Sequence, residues 1–220
     1  MLTMIVIDPY TKIHKALRRD MFACLTTLGS LDLADAEALA SARERVSRLL
    51  RDLAAHAEHE DEFLGPVLHD HMPEHAALLA GQHHELERRL TLLERRFAGE
   101  RFGDPEALLA GYRELAEFVA AYLEHLAAEE RALPEFARVI PHERLAAAMA
   151  AFGASRSPDQ REYALRQMLP ALSRAERVEL LQGFVAAPEP AASAARSIAR
   201  SVLDERDWSA LERDLVVSRR

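Results

Sequence analysis

Apolar residues recur at helical spacing along most of the chain and at strand spacing almost nowhere. Ile13, Leu17, Met21 and Leu25, with Leu28, form a stripe at three- and four-residue intervals. It starts behind Asp8-Pro9, where Asp suits a cap and Pro suits the first helical position, and Gly29-Ser30 stops it. The pattern predicts a second helix from about Asp35 to Leu64, ending before Pro66, and reads Gly65 to Pro73 as a polar linker with two prolines. A third helix is predicted from about Glu74 to Ala98, ending at Gly99. Asp104-Pro105 opens a fourth that continues to about Val139. The one strand-like run is Met4 to Ile7. Four long helices with mostly short connections predict an all-α fold, an antiparallel up-down four-helix bundle.

Beyond Pro141 the segments shorten. His142–Phe152, Asp159–Leu169, Arg174–Ala186, Ala191–Leu203 and Asp207–Val217 read as helices, with starts marked by Ser157-Pro158 and the capping box Ser173-x-x-Glu176. Ala187 to Pro190 reads as a joint. The expected organisation is a bundle over residues 1–140 and a helical C-terminal extension over 141–220, packed on the bundle or at a dimer contact. Monomer and homodimer both fit.

Composition narrows the function. Of 220 residues, 49% are apolar, enough for a sizeable core and too many for a disordered chain. Cys24 is the single cysteine, which excludes an internal disulfide framework and a cysteine-based zinc site. With 28 basic and 36 acidic residues the net charge is -8, so a nucleic-acid partner is not expected. The start, Met1 to Tyr10, has a short apolar run without a basic leader, and no stretch is long enough to span a membrane. A cytoplasmic protein without a membrane partner is the expectation. The ten histidines exceed what a structural bundle needs.

Six of the polar candidates fall into an internal repeat. At a constant offset of 69 residues, His14 aligns with His83, His56 with His125, and Glu60 with Glu129. Each half is then a helical hairpin with one His early on its first helix and His-x-x-x-Glu late on its second. In the fourth helix Leu108, Leu115 and Tyr122 lead to Glu129, and Gly111 and Phe118 lead to His125. In the second, Leu39, Val46 and Leu53 lead to Glu60, and Ala42 and Leu49 lead to His56. These rows are core seams. A carboxylate in a core seam costs several kcal/mol unless it is paired or bound to a cation. His and Glu four residues apart share one helical face. An antiparallel hairpin brings His14 towards His56 and Glu60, and His83 towards His125 and Glu129. Imidazole and carboxylate without thiolate suit iron, manganese or zinc. Two Glu able to bridge, with two His for each ion, describe a two-metal centre.

His14, His56-x-x-x-Glu60, His83 and His125-x-x-x-Glu129-Glu130 followed by Leu133-Pro134 resemble the hemerythrin-like (HHE) domains over about residues 9–137. The resemblance implies a four-helix bundle around a non-haem di-iron site, oxo- or hydroxo-bridged. His14, His56, His83 and His125 would be ligands, with Glu60 and Glu129 as carboxylate bridges. It also implies partners among small oxygen species: dioxygen, peroxide or nitric oxide. Two departures qualify it. Oxygen carriers of the family have a second His one turn before the third-helix His, where this chain has Leu79, and they usually end in His-x-x-x-x-Asp. Six ligands leave coordination open, which favours oxygen or peroxide activation or redox sensing over reversible carriage. His59, Glu58, His84 and Glu130 are candidates for a further ligand or an outer partner. Two other readings stand beside this one: a di-iron oxygenase or peroxidase acting on an organic substrate, and a metal-free helical interaction module.

The remaining polar and sulfur residues read more simply. His69, His71 and His75 belong to the predicted linker region as solvated side chains, and His142 to a helix start. Met21 and Leu90, also 69 apart, read as core packing or as the wall of a dioxygen-sized pocket. Tyr122 reads as a core tyrosine or a hydrogen-bonding neighbour of the metals, and Cys24 as a small buried hydrophobe. The pairs Arg88-Arg89 and Arg95-Arg96 read as solvated helix face.

Overall fold

Capping chemistry sets most of the element boundaries. In a computed structural model, which describes residues 7–185 and 189–217, every regular element among those residues is helical. The long helices are α1 (Thr11–Gly29), α2 (Ala36–His59), α4 (Pro73–Ala98) and α5 (Pro105–Val139), with the short α3 (Gly65–His71) between α2 and α4. Asp35 caps α2 by accepting from the N–H groups of Glu37 and Ala38, both at 2.9 Å. Asp104 caps α5 in the same way, through Glu106 and Ala107, with Pro105 next in sequence where no donor is needed. Asp8 behaves differently from the prediction. Its carboxylate accepts from the N–H of Tyr10 at 3.0 Å in a turn ahead of α1, which begins at Thr11.

The predicted linker is helical. After His59 the chain passes through a π-helical turn, Glu60–Leu64, closed by the Gly65 N–H donating to the Glu60 carbonyl, and continues directly as α3. The proline that was to end the helix is accommodated by this wider turn. Pro66 lacks an N–H, and the turn places it in the first turn of a new α segment, where an intrahelical donor is not required. The break comes six residues later, at Met72, and Pro73 starts α4. His69 and His71 therefore ride on α3 and His75 on α4. The strand-like run Met4 to Ile7 lies outside the described residues apart from Ile7, as do residues 187 and 188 of the predicted joint.

The described residues form two compact units. One takes the chain up to Tyr10 and Leu17–Gly153, and the other takes Thr11–Ala16 and the residues from Ala154 onward. In the first unit α4 packs against α2, α3 and α5. Its core rows are Val46, Leu49, Leu50 and Leu53 on α2, Leu86, Leu90, Leu93 and Phe97 on α4, and Leu115, Phe118, Val119 and Leu126 on α5. Gly111 lets α5 sit tightly against α4, since a Cβ there would lie 3.2 Å from the Phe97 ring and 3.1 Å from Arg96. A second cluster around Tyr10, Leu64, Leu68, Leu79 and Phe136 also includes Leu145 of α6 (His142–Ser155).

In the second unit, α7 (Pro158–Met168), α8 (Arg174–Val185), α9 (Glu189–Val202) and α10 (Glu205–Val217) supply a separate core. It contains Leu165, Leu169, Leu181, Ile198, Trp208 and Leu211. The buried Arg177 donates to the Leu169 carbonyl at 2.8 Å and pairs with Asp207 at 2.6 Å. No helix among the described residues is long and apolar enough to cross a membrane.

Candidate metal centre

The core rows of α2, α4 and α5 each run into polar residues. On α2 the row Val46, Leu49 and Leu53 continues to His56 and then Glu60. On α4 it passes through His83, and on α5 the row Leu115, Phe118 and Tyr122 continues to His125 and Glu129. With His14 on α1, all six side chains are buried. Their ligand atoms form two groups, His14 with His56, Glu60 and Glu129, and His83 with His125, Glu60 and Glu129. Within each group these atoms lie within 4.8 Å of one another. Glu60 and Glu129 belong to both.

The distances are those of ligands around an ion. Glu60 turns Oε1 to His56 Nε2 at 3.2 Å and Oε2 to His83 Nε2 at 3.5 Å, so one carboxylate faces both groups. His83 Nε2 lies 3.0 Å from His125 Nε2 and 3.8 Å from Glu129 Oε1, which is 3.4 Å from His125 Nε2. Ligands about 2.1 Å from a cation are separated by about 3.0 Å in octahedral and about 3.4 Å in tetrahedral coordination. The donor set, imidazole nitrogen and carboxylate oxygen, suits a first-row divalent ion. The residues fit the group.

Electrostatics give the same answer. Burial, followed by the charge and hydrogen bond of neighbouring Glu60, pushes the Glu129 carboxyl up to about 11. Two carboxylates in one dry site cannot both ionise without a cation between them. Burial alone would lower the pKa of His83, but hydrogen bonds to Glu60 and Asp61 outweigh it and raise it. Tyr10 is raised well above its usual value by burial and then by Glu129 and Glu60. Tyr122 is raised by burial and then by Glu60 and Glu129.

Two outer partners escaped the sequence reading. The Nδ1–H of His83 donates to Asp61 Oδ1 at 2.7 Å, and that of His125 donates to Gln82 Oε1 at 2.9 Å. Each contact fixes the tautomer that leaves Nε2 to face the ligand group. Asp61 directly follows Glu60 and is exposed, so only the packing of α4 against α2 reveals its role. Its repeat counterpart Glu130 does something else, accepting two hydrogen bonds from Arg18 at 2.6 and 3.0 Å.

None of the other candidates belongs to either ligand group, although the Tyr122 ring packs edge-on against His125 at 5.7 Å. The His59 ring meets Phe152 edge-on at 5.3 Å, and His84 and Glu58 are exposed. His69 is exposed and His75 faces the Phe136 ring. Met21 and Leu90 are both buried in the core. Tyr122 is fully buried, and its hydroxyl donates to the carbonyl of Leu53, its own counterpart in the repeat, at 3.1 Å. Burial pushes the Cys24 thiol up to about 11. A cavity of about 410 Å³ reaches Glu60, His83 and Glu129 from the side of α3 and the start of α4.

Residues 6–137 match the profile of the hemerythrin HHE cation binding domain. Searches of curated protein sequences and of solved structures gave no match.

Proposed function

The chain belongs to the hemerythrin HHE cation-binding domain family, and on that premise we propose a non-haem di-iron protein that handles dioxygen, peroxide or nitric oxide. The observation that carries this reading is the pair of His/Glu groups sharing Glu60 and Glu129. His14 and His56 would hold one ion and His83 and His125 the other, with the two carboxylates spanning them. Manganese or zinc would suit the same donors. The surrounding fold in this proposal is an antiparallel four-helix bundle of α1, α2, α4 and α5, and the protein is cytoplasmic.

When bound, iron supplies one-electron redox chemistry towards small oxygen species. The chain's own residues do the rest. Asp61 and Gln82 orient the imidazoles of His83 and His125. The leucine rows of α2, α4 and α5 keep bulk water from the buried carboxylates, which strengthens their hold on a cation. Tyr122 spends its hydroxyl on the Leu53 carbonyl and so ties α5 to α2 beside the site.

Glu60→Ala and His125→Ala test the assignment. Each should remove most of the iron from protein made in iron-replete medium while leaving helical circular dichroism largely intact. Unchanged iron content in both variants would refute it.

A further inference from the structure

The cavity beside the candidate metal centre opens to solvent at one end and reaches buried ligands at the other. Its inner end is formed by Glu60, His83 and Glu129, three members of one ligand group and all buried. Its outer end carries Asp61 and His69, whose side chains are 57% and 80% exposed. Buried Leu68 of α3 and Leu79 of α4 wall the space between them. Half-buried Ala76 and exposed Ala80, one helical turn apart, line it with little bulk. Among the described residues of the lining, none is a lysine or an arginine. The volume is about 410 Å³. A divalent ion with six waters needs on the order of 200 Å³ at about 30 Å³ per water, so a hydrated ion fits.

We propose that this cavity is the passage by which a divalent metal ion enters and leaves the centre, with Asp61 and His69 as its outer station. The proposal rests on the di-iron reading, to which it adds a loading route. Taking a cation out of water is costly unless protein ligands replace its waters as they are lost. The lining offers those replacements in order. Asp61 and His69 present a carboxylate and an imidazole where solvent is still at hand, and Glu60, His83 and Glu129 present the final ligands where it is excluded. Asp61 belongs to both ends, since its Oδ1 accepts from His83 at 2.7 Å while more than half of its side chain faces solvent. A carboxylate at the mouth, with no cationic side chain in the walls, draws positive charge inward.

The test measures rates on the full chain. Anaerobic uptake of ferrous ion by stripped protein is timed by rapid desalting and iron counting, and release from loaded protein by a coloured ferrous chelator in excess. Ala76→Phe, which narrows the passage, should slow uptake and release alike by about tenfold or more and leave the final iron content unchanged. Ala80 is exposed, so charge can be placed there without disturbing the core. Ala80→Lys should slow uptake about threefold or more, whereas Ala80→Glu should load at least as fast as the unmodified chain. The difference between those two variants should shrink as salt is raised. Should Ala76→Phe fail to fold, the pair at position 80 decides alone. Iron-loaded protein whose rates ignore the charge at position 80, or a folded Ala76→Phe that loads at the unmodified rate, would overturn the passage while leaving the di-iron reading intact. Protein that takes up no iron at any time would overturn that reading, and the passage with it.

Discussion

At the scale of single residues, a metal centre depends on the atoms that aim its ligands as much as on the ligands. Asp61 accepts from His83 at 2.7 Å, and removing such an outer partner lowers metal affinity about 10–100-fold in related situations. Asp61→Ala should therefore lose ground of that order in competition against a chelator, whereas Asp61→Asn, whose amide oxygen still accepts, should keep most of the affinity. Equal losses in the two variants would contradict an orienting role. Glu129 gives a second test, in pH. Its carboxyl is held near 11 in the metal-free fold, against about 4.5 when unfolded, so the stability it contributes is present in acid and is lost as pH rises from about 4.5. His83, raised for the reasons given, acts with the same sign. The metal-stripped protein should show a falling denaturant midpoint between about pH 5 and about pH 8, and metal-loaded protein a smaller fall. A midpoint of stripped protein that rises over this range would contradict the assignment. The six candidate ligands were legible because a repeat of 69 residues set like against like. Asp61 and Gln82 were not, because neither breaks an apolar pattern. Their roles come from the rotation of one helix against another, which spacing along the chain does not encode.

At the scale of elements, the π-helical turn at Glu60 is the main departure from what the chain pattern predicted. A proline after a long helical run reads as a stop, and at Pro66 the structure departs from that expectation. Instead, one widened turn lets the helical course continue through α3, and the turn begins at the very residue that faces both ligand groups. π-turns often mark functional sites because they re-aim side chains. Tyr122 shows the complementary case: it is the expected core tyrosine, its ring packs against His125 at 5.7 Å, and its hydroxyl ties two helices through a backbone carbonyl. The contact of α4 with α5 is equally specific. Gly111 stands in a heptad row otherwise filled by Phe118 and His125, and it leaves room only for the Phe97 ring and the Arg96 stem. Gly111→Leu should overpack this contact and lower stability by roughly 1–3 kcal/mol, read as a shift in denaturant midpoint. Unchanged stability would show that the two helices are not closely packed there.

At the scale of the whole molecule, the sequence divided the chain by character, and the structure shows two cores built differently. The first unit is organised around long amphipathic rows that end in His and Glu. The second joins shorter helices around Trp208, Leu211 and the leucines of α7 and α8, held by Arg177 between the Leu169 carbonyl and Asp207. Helix content and most boundaries were readable from capping residues such as Asp35, Asp104 and Ser157, because caps are local chemistry. Which buried side chains meet was readable only where the repeat enforced it. The most direct test of the central claim is a metal count on the purified, folded full chain by elemental mass spectrometry after expression in iron-replete medium. The account predicts close to two iron ions per chain, whereas a folded chain that carries no bound metal would contradict it.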